Sequence, residues 1–250
     1  MNTQDYLKRI NVSETREPSL EFLSELQLKH LYAIPFEDLD IPNRARISLD
    51  LEKIYNKIIP TKRGGFCYEL NGLFHWLLTN LGFNVDMLSA RVYNHSWKRL
   101  GPEFDHMTLL VHLKEDYLVD VGFGDSFRKP IQMPRGIVSD ISGTYRVNGS
   151  NKNYAVEKLE KGMWTLLYSF TIIPRLLSDF EEMCNFQQDS PTSIFRTRML
   201  CSKATETGRI TLSDTSLTIK KGKEKIKVEI KTKEEFYKYL NEYFEIKFEE

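Results

Sequence analysis

Cysteine is sparse in this chain: Cys67, Cys184 and Cys201 are the only three among 250 residues. An odd, widely spaced set does not make a disulfide scaffold. With no CxxC pair and no Cys/His cluster, the usual zinc frameworks are absent too, so no metal site is expected. Net charge is also missing, with 35 basic side chains against 35 acidic ones. A general nucleic-acid binder carries a basic excess, so that class is disfavoured. No apolar run approaches the ~20 residues that span a bilayer, and the opening MNTQDYLKRI lacks the apolar core of a signal peptide. No membrane association is expected, and the expected location is cytoplasmic. Glycine is scarce as well, 13 residues where ~7% is usual. Aromatic residues are plentiful at 12%, which excludes low-complexity and collagenous chains and leaves ample material for a buried core.

What is present is ordered by its period. Up to residue 82 the spacing predicts helices. Ser19 caps one that runs to about Tyr32, Leu51, Ile54 and Ile58 mark a second, and Leu70, Leu73, Phe74, Leu77, Leu78 and Leu81 form the stripe of a third from Cys67 to Leu81. Gly82 is placed to end it. The period then falls to two. Strands are predicted around Val85–Val92, Met107–Leu113, Tyr117–Val121, Thr144–Val147, Tyr154–Leu159 and Met163–Phe170, with hairpin turns at Asn148-Gly149 and Lys161-Gly162. The stretch Gly122–Gly143 fits neither period and reads as a long loop or a crossing between domains. From residue 177 the pattern is mixed. Ser178 with Glu181 and Thr232 with Glu235 are capping-box pairs that open helices. Between them Ile210–Leu212, Leu217–Ile219 and Ile226–Ile230 read as strands. Helices, then strands, then a mixed tail is an α+β layout, with predicted divisions at 1–82, 83–176 and 177–250.

One segment carries obvious chemistry: Arg63-Gly64-Gly65-Phe66-Cys67-Tyr68-Glu69-Leu70-Asn71-Gly72. Paired glycines allow a sharp turn or a close backbone approach. They place Cys67 at the start of a helix, where free N–H groups and the helix dipole favour a thiolate, with Arg63 as a nearby cation. The alternative is a buried structural cysteine, which also describes Cys184 and Cys201. A nucleophilic thiol needs a base, and the base an orienting partner. Among five histidines, His106 stands apart: it follows the polar Pro102–Asp105 and opens an apolar strand. The next strand ends in Asp120, a carboxylate among Leu118, Val119, Val121 and Phe123 that needs a partner if buried. A three-residue loop between the strands sets His106 opposite Gly122, with Asp120 diagonal on the same face. A two-residue loop sets them on opposite faces unless a bulge intervenes.

RGGFCYELN, the His of DHMTLLV and the DVGFG segment together resemble the arylamine N-acetyltransferase family. Pro35-Phe36-Glu37-Asp38-Leu39 is similar to its PFENL element, and Ser190-Pro191-Thr192-Ser193 with Phe195 to its SPxSxF segment. The resemblance runs from about residue 30 to the end. It implies a helical N-terminal domain, a central antiparallel β-barrel and a C-terminal α/β lid around a cysteine-protease-like Cys-His-Asp core. It also implies ping-pong acetyl transfer from acetyl-CoA to an aromatic amine or hydrazine. Carried over by position, Cys67 is the acetylated thiolate, His106 the base and Asp120 its orienting partner. Phe36, Phe123 and Gly124 match the acceptor pocket, and Phe186 and Thr192 match CoA contacts. The sequence departs from the family pattern before His106, where Glu103 and Asp105 replace a small Thr-Gly. Seven lysines against four glutamates in 220–235 could meet CoA phosphates or simply cover a solvated surface. Two other classes use the same residues: a different Cys-His-Asp acyl transfer, such as amide synthesis or transglutaminase- or protease-like cleavage, and a non-catalytic binding protein. Oligomeric state is left open.

Overall fold

Local capping decides where the N-terminal helices begin. In the computed structural model, which describes residues 1–247, Asn2 accepts from the Gln4 N–H and opens α1 (Thr3–Arg9). This helix has too little periodicity to stand out in sequence, yet it buries Tyr6 and Leu7. Ser19 accepts from the Phe22 N–H (3.2 Å) and opens α2 (Leu20–Ala33). After the two-residue β1 (Phe36–Glu37), Asp50 caps α3 (Leu51–Ile58), and α4 (Cys67–Asn80) follows, ended by Gly82 at φ +88°. The predicted starts of these last three helices hold. The apolar stripe of α4 packs with Phe22, Leu23 and Leu26 of α2 and Ile54 and Ile58 of α3 into one core.

The next strands are β2 (Asn84–Asn94), β3 (Arg99–Leu100), β4 (His106–His112), β5 (Asp116–Val119), β6 (Ile131–Gln132), β7 (Ile137–Asp140), β8 (Gly143–Ser150), β9 (Asn153–Glu160) and β10 (Met163–Arg175). They pair in the order β6-β5-β4-β2-β10-β9-β8-β7, antiparallel wherever they meet, with the short β3 on β2. The β6 end of the sheet is tied back to β8, since Gly136 N–H donates to the Gln132 carbonyl (2.7 Å) and Val147 N–H to the Gly136 carbonyl (3.1 Å). The result is a nearly closed barrel. Both faces of β4 are buried: Met107, Leu109 and Val111 pack against the helices, and Leu110 joins Leu118, Tyr145, Val156 and Tyr168 inside.

Two sequence expectations fail here. The 122–143 stretch is neither a free loop nor a domain crossing. It contributes β6 and β7, and its Phe127 and Ile131 fill the barrel interior. Asn148-Gly149 lies within β8 rather than in its turn, which is Asn151-Lys152, both at positive φ. Gly149 serves close approach instead: a Cβ there would lie 2.3 Å from the Asn153 carbonyl. Lys161-Gly162 is a turn as predicted, with φ of 51° and 83°.

A short 3₁₀ turn (Leu177–Phe180) leads into α5 (Glu181–Asp189). Its cap is not the predicted Ser178–Glu181 pair; Asp179 reaches back to the Leu176 N–H (2.8 Å). Then β11 (Leu200–Thr205), β12 (Gly208–Ser213), β13 (Ser216–Lys221) and β14 (Glu224–Glu229) form an antiparallel sheet in the order β1-β11-β12-β13-β14. Thr232 caps α6 (Lys233–Phe244), whose Phe236, Leu240 and Phe244 cover Cys201, Leu212 and Leu217 on one face of that sheet. No described helix is long and apolar enough to cross a membrane.

The seam between β1 and β11 is pH-sensitive. Asp38 is buried, its N–H donating to the Leu200 carbonyl and its Oδ1 accepting from the Leu200 N–H (2.7 Å). Burial pushes its carboxyl up to about 8 from an ordinary 3.8, and the Glu37 charge pushes the same way, against the backbone N–H of Leu200. Between those values the folded chain holds a proton that the unfolded chain has released, so stability falls as pH rises through that window. Asp38→Asn keeps the acceptor and removes the titration. Its melting temperature is expected to change less than the wild type's between pH 6 and pH 9.

Candidate active site

The Gly-Gly loop is held by ion pairs. Arg63 binds Glu37 (Nε to Oε1, 2.9 Å) and Asp40 (2.7 Å), while Lys57 binds Asp40 (2.7 Å) and both oxygens of Glu69 (2.9 Å). Glu69 also accepts from the Phe66 N–H, capping the helix that begins at Cys67. Arg63 is therefore committed to Glu37 and Asp40, a structural role in place of the cation expected beside the thiol. Gly64 and Gly65 are not at positive φ; they are there for space. A Cβ on Gly64 would lie 2.2 Å from the Pro35 carbonyl, and one on Gly65 2.8 Å from Glu69 Cβ. This close approach lets Phe36 bridge in parallel to Gly65, which carries Phe36 to the cysteine loop.

Cys67 is the first residue of α4 and is 6% exposed. The helix start favours a thiolate, and the burial of this position works against it. Burial pushes the Cys67 thiol well up, Asp105 and Asp120 push the same way, and the Tyr68 backbone N–H is the opposing influence. A thiolate here needs a place for its proton. Burial also raises Cys184 (to about 12) and Cys201, so the same influence acts on all three thiols.

The imidazole meets its carboxylate. The pairs Leu109–Val119 through His112–Asp116 leave a three-residue loop at 113–115, so continuing the register sets His106 opposite Gly122. His106 Nε2 and Asp120 Oδ2 are 2.7 Å apart, both groups almost fully buried. Tyr168 OH donates to the same oxygen (3.0 Å), while Asn71 Nδ2 (3.1 Å) and the Gly122 N–H (2.9 Å) donate to Oδ1. Tyr168, Asn71 and Gly122 are donors to Asp120, and the direction of the fourth contact follows from the imidazole tautomer, Nε2 donating where it carries the proton. With Nε2 engaged by Asp120, Nδ1 is the ring nitrogen that this bond leaves over.

Gly122 sets the spacing between the two segments. A Cβ built on it would lie 2.9 Å from both Cα and the carbonyl oxygen of Cys67, and 2.6 Å from Asn71 Nδ2. The segment after β5, which bears Asp120, thus touches the backbone of α4 at the cysteine. Gly122→Ala must push them apart, and overpacking of this kind costs about 1–3 kcal/mol. A lowered melting temperature and denaturant midpoint are the expected result.

Phe123 packs edge-on to His106 (centroids 5.1 Å apart) and is 5.0 Å from Tyr168. Gly124 has φ +84° with open space where a side chain would point, so its conformation and not crowding favours glycine. Phe123 thus stands against His106, while Phe36 is tied to the cysteine loop through its bridge to Gly65. Phe186 and Thr192 are both exposed, on α5 and in the turn after it, and Thr192 Oγ1 bonds Ser190 Oγ (2.8 Å).

Two partners, Asn71 as a brace and Tyr168, escaped the sequence reading. Asn71 lies one helical turn beyond Cys67 and braces both segments, donating to Asp120 and to the Met107 carbonyl (2.7 Å) while accepting from the Val121 N–H (3.0 Å). Its i+4 spacing from Cys67 was a usable signal. Tyr168 comes from β10, with no local cue. Asp105 does not stand loose before the histidine: Gln187 of α5 donates to it (3.0 Å), and Ser193 Oγ donates to Gln187 Oε1 (2.9 Å). The other carboxylate noted there, Glu103, lies 3.7 Å from Arg175.

This arrangement can transfer an acyl group: a thiol at a helix start, an imidazole fixed by a buried carboxylate, and an aromatic wall beside them. Known proteins agree. The N-acetyltransferase family profile matches residues 19–250. Arylamine N-acetyltransferase 2 of Mus musculus is 32% identical over 243 residues, covering 88% of this chain and 84% of its own. The crystal structure of an arylamine N-acetyltransferase from Bacillus cereus, described by its Cys-His-Glu catalytic triad, superposes with TM-score 0.91 at 29% identity, covering 99% of this chain and 100% of that one. The Mycobacterium marinum arylamine N-acetyltransferase in complex with CoA gives 0.90 at 28% identity, covering 98% and 93%. The α+β fold and the Cys-His-Asp constellation thus have one explanation: the chain belongs to the arylamine N-acetyltransferase family.

Proposed function

We propose that this protein transfers an acetyl group from acetyl-CoA to arylamines and arylhydrazines through a thioester on Cys67. The observation that carries the reading is the His106–Asp120 bond, brought by Gly122 against the backbone of Cys67. A buried thiol that burial holds neutral can react if its proton passes to His106 Nδ1 as the sulfur attacks. Asp120 then faces an imidazolium and stabilises it. In the first half-reaction the Cys67 sulfur bonds the acetyl carbonyl carbon, the C–S bond to CoA breaks, and the departing CoA sulfur takes the proton from His106. In the second, the amine nitrogen attacks the acetyl-Cys67 carbonyl and gives its proton to His106. The Cys67 sulfur leaves, and the pair is restored.

In this reading residues 1–82 supply the thiol, 83–176 the base and its carboxylate, and 177–250 a cover over them. Phe36, Phe123 and Gly124 hold the aromatic acceptor, Phe36 and Phe123 supplying flat apolar contact. Phe186 and Thr192, exposed beside the site, meet the CoA moiety. The Gln187 and Ser193 links to Asp105 fix that segment to the strand of His106.

Intact-mass analysis with acetyl-CoA alone should show an adduct of about 42 Da, one acetyl group, on Cys67. Adding an aromatic amine or hydrazine should remove it and release the acetylated product. Absence of the adduct overturns the reading. An adduct discharged by peptide amines but not by aromatic ones would favour the other acyl-transfer class.

A further inference from the structure

The site-facing side of the C-terminal sheet carries a row of directly opposed cations. Arg209 of β12 pairs with Lys220 of β13, and Lys220 pairs with Lys225 of β14. Cross-strand partners share a face, with neighbouring strands about 4.8 Å apart, and like charges placed opposite each other destabilise a sheet. The acids at hand are few. Asp125, from the loop after Gly124, lies 3.1 Å from Arg209 Nε and 3.8 Å from Lys220 Nζ. On the same face of β14, Lys227 adds another positive charge opposite Thr218, and Glu229 lies farther along opposite Ser216.

The row has a direction. Its inner end is Arg209, 6% exposed, which also donates to Ser202 Oγ (3.0 Å), and Ser202 is the ladder partner of Phe36. Its middle, Lys220, is 50% exposed, and its outer end is on the solvent edge strand. It therefore leads from the acceptor wall of the site outward. Protection of an open sheet edge explains charge on β14. It does not explain Lys220 on an interior strand facing cations on both sides, nor a buried arginine at the inner end.

We propose that Arg209, Lys220 and Lys225 form the track that binds the phosphates of the acyl donor, the 3′-phospho-ADP portion of acetyl-CoA. This rests on acetyl-CoA being the donor. A polyanion laid along the row would relieve the cation–cation repulsion, and phosphate contacts are charge-assisted hydrogen bonds. The exposed Phe186 and Thr192 are then not needed as phosphate contacts.

The test is the double reversal Lys220→Glu, Lys225→Glu, assayed with acetyl-CoA and with S-acetyl-pantetheine, which lacks the phosphates. Glutamate keeps the edge charged, so edge protection is preserved. The expected result is a KM for acetyl-CoA raised about tenfold or more, a magnitude set by charged hydrogen bonds. The KM for S-acetyl-pantetheine should move less than twofold, and the salt dependence of the acetyl-CoA KM should flatten. The melting temperature at low salt should change little, because the reversal makes the 209–220 pairing attractive while positions 220 and 225 still carry opposed like charges. Equal shifts with both donors, or none, overturn the proposal; where both shift, single Lys225→Glu at the solvent edge repeats the comparison and the same criterion decides. A wild-type enzyme that accepts neither donor refutes the donor reading itself, a result distinct from an unchanged KM.

Discussion

Replacing Cys67 by serine should lower acetyl transfer by about 10⁴-fold or more and leave the fold in place. Burial and two nearby carboxylates already push the thiol up, and in the proposed mechanism its sulfur hands a proton to His106 during attack. A hydroxyl in the same place is a far weaker acid and cannot be ionised by an imidazole at neutral pH. A 10⁴-fold loss corresponds to about 5.4 kcal/mol of transition-state stabilisation. The measurements are kcat/KM for acetyl-CoA with an arylamine, and intact mass after incubation with acetyl-CoA. The melting temperature should stay within a few degrees, because the side chain is small and its neighbours are unchanged. A loss of less than tenfold would place the chemistry elsewhere. Alkylation of wild type offers a second view: since burial raises all three cysteines, selective labelling of Cys67 would reflect proton acceptance by His106.

The second large effect is expected at Asp120. Asp120→Asn should reduce turnover by about 10³-fold, in line with losses seen when a base's orienting carboxylate becomes an amide. It should also destabilise the fold by about 1–3 kcal/mol. Four partners converge on the two oxygens: His106 and Tyr168 on one, Asn71 and Gly122 on the other. An amide supplies one oxygen, and its NH₂ must face donors on the other side. Asn71 cannot turn over to accept, because its own oxygen takes the Val121 N–H and its nitrogen also serves Met107. Tyr168 has an alternative in Thr108 Oγ1, 3.4 Å away. Turnover and chemical denaturation together check the prediction. A stability loss without an activity loss would show that Asp120 is structural alone.

Both predictions start from residues visible in the sequence, whose surroundings were not. The start of α4 at Cys67 was legible because a long apolar stripe and Gly82 bound the helix. The roles of its flanking residues were not. Arg63 looked like a cation for the thiol, but Glu37 and Asp40, 26 and 23 residues away along the chain, claim it. The paired glycines promised either a turn or a close approach, and only the position of the Pro35–Glu37 backbone chose the second. Asn148-Gly149 looked like a hairpin turn for the same reason that Gly64-Gly65 looked like a bend: a glycine's freedom and its small size leave the same letter.

Local pattern determined the helix starts at Ser19, Asp50 and Phe66, the change of period after Gly82 and the identity of the thiol, imidazole and carboxylate. These depend on side chains a few residues apart, so a single stretch of chain contains the whole cause. The tertiary structure decided the rest. A one-residue change in loop length would put Asp120 on the face opposite His106, and only the pairing of β4 with β5 settled the matter at three residues. Likewise the brace from Tyr168, the insertion of β1 beside β11 and the opposition of Arg209, Lys220 and Lys225 are cross-chain facts. Each depends on which strands become neighbours, and that is fixed by burying three cores at once.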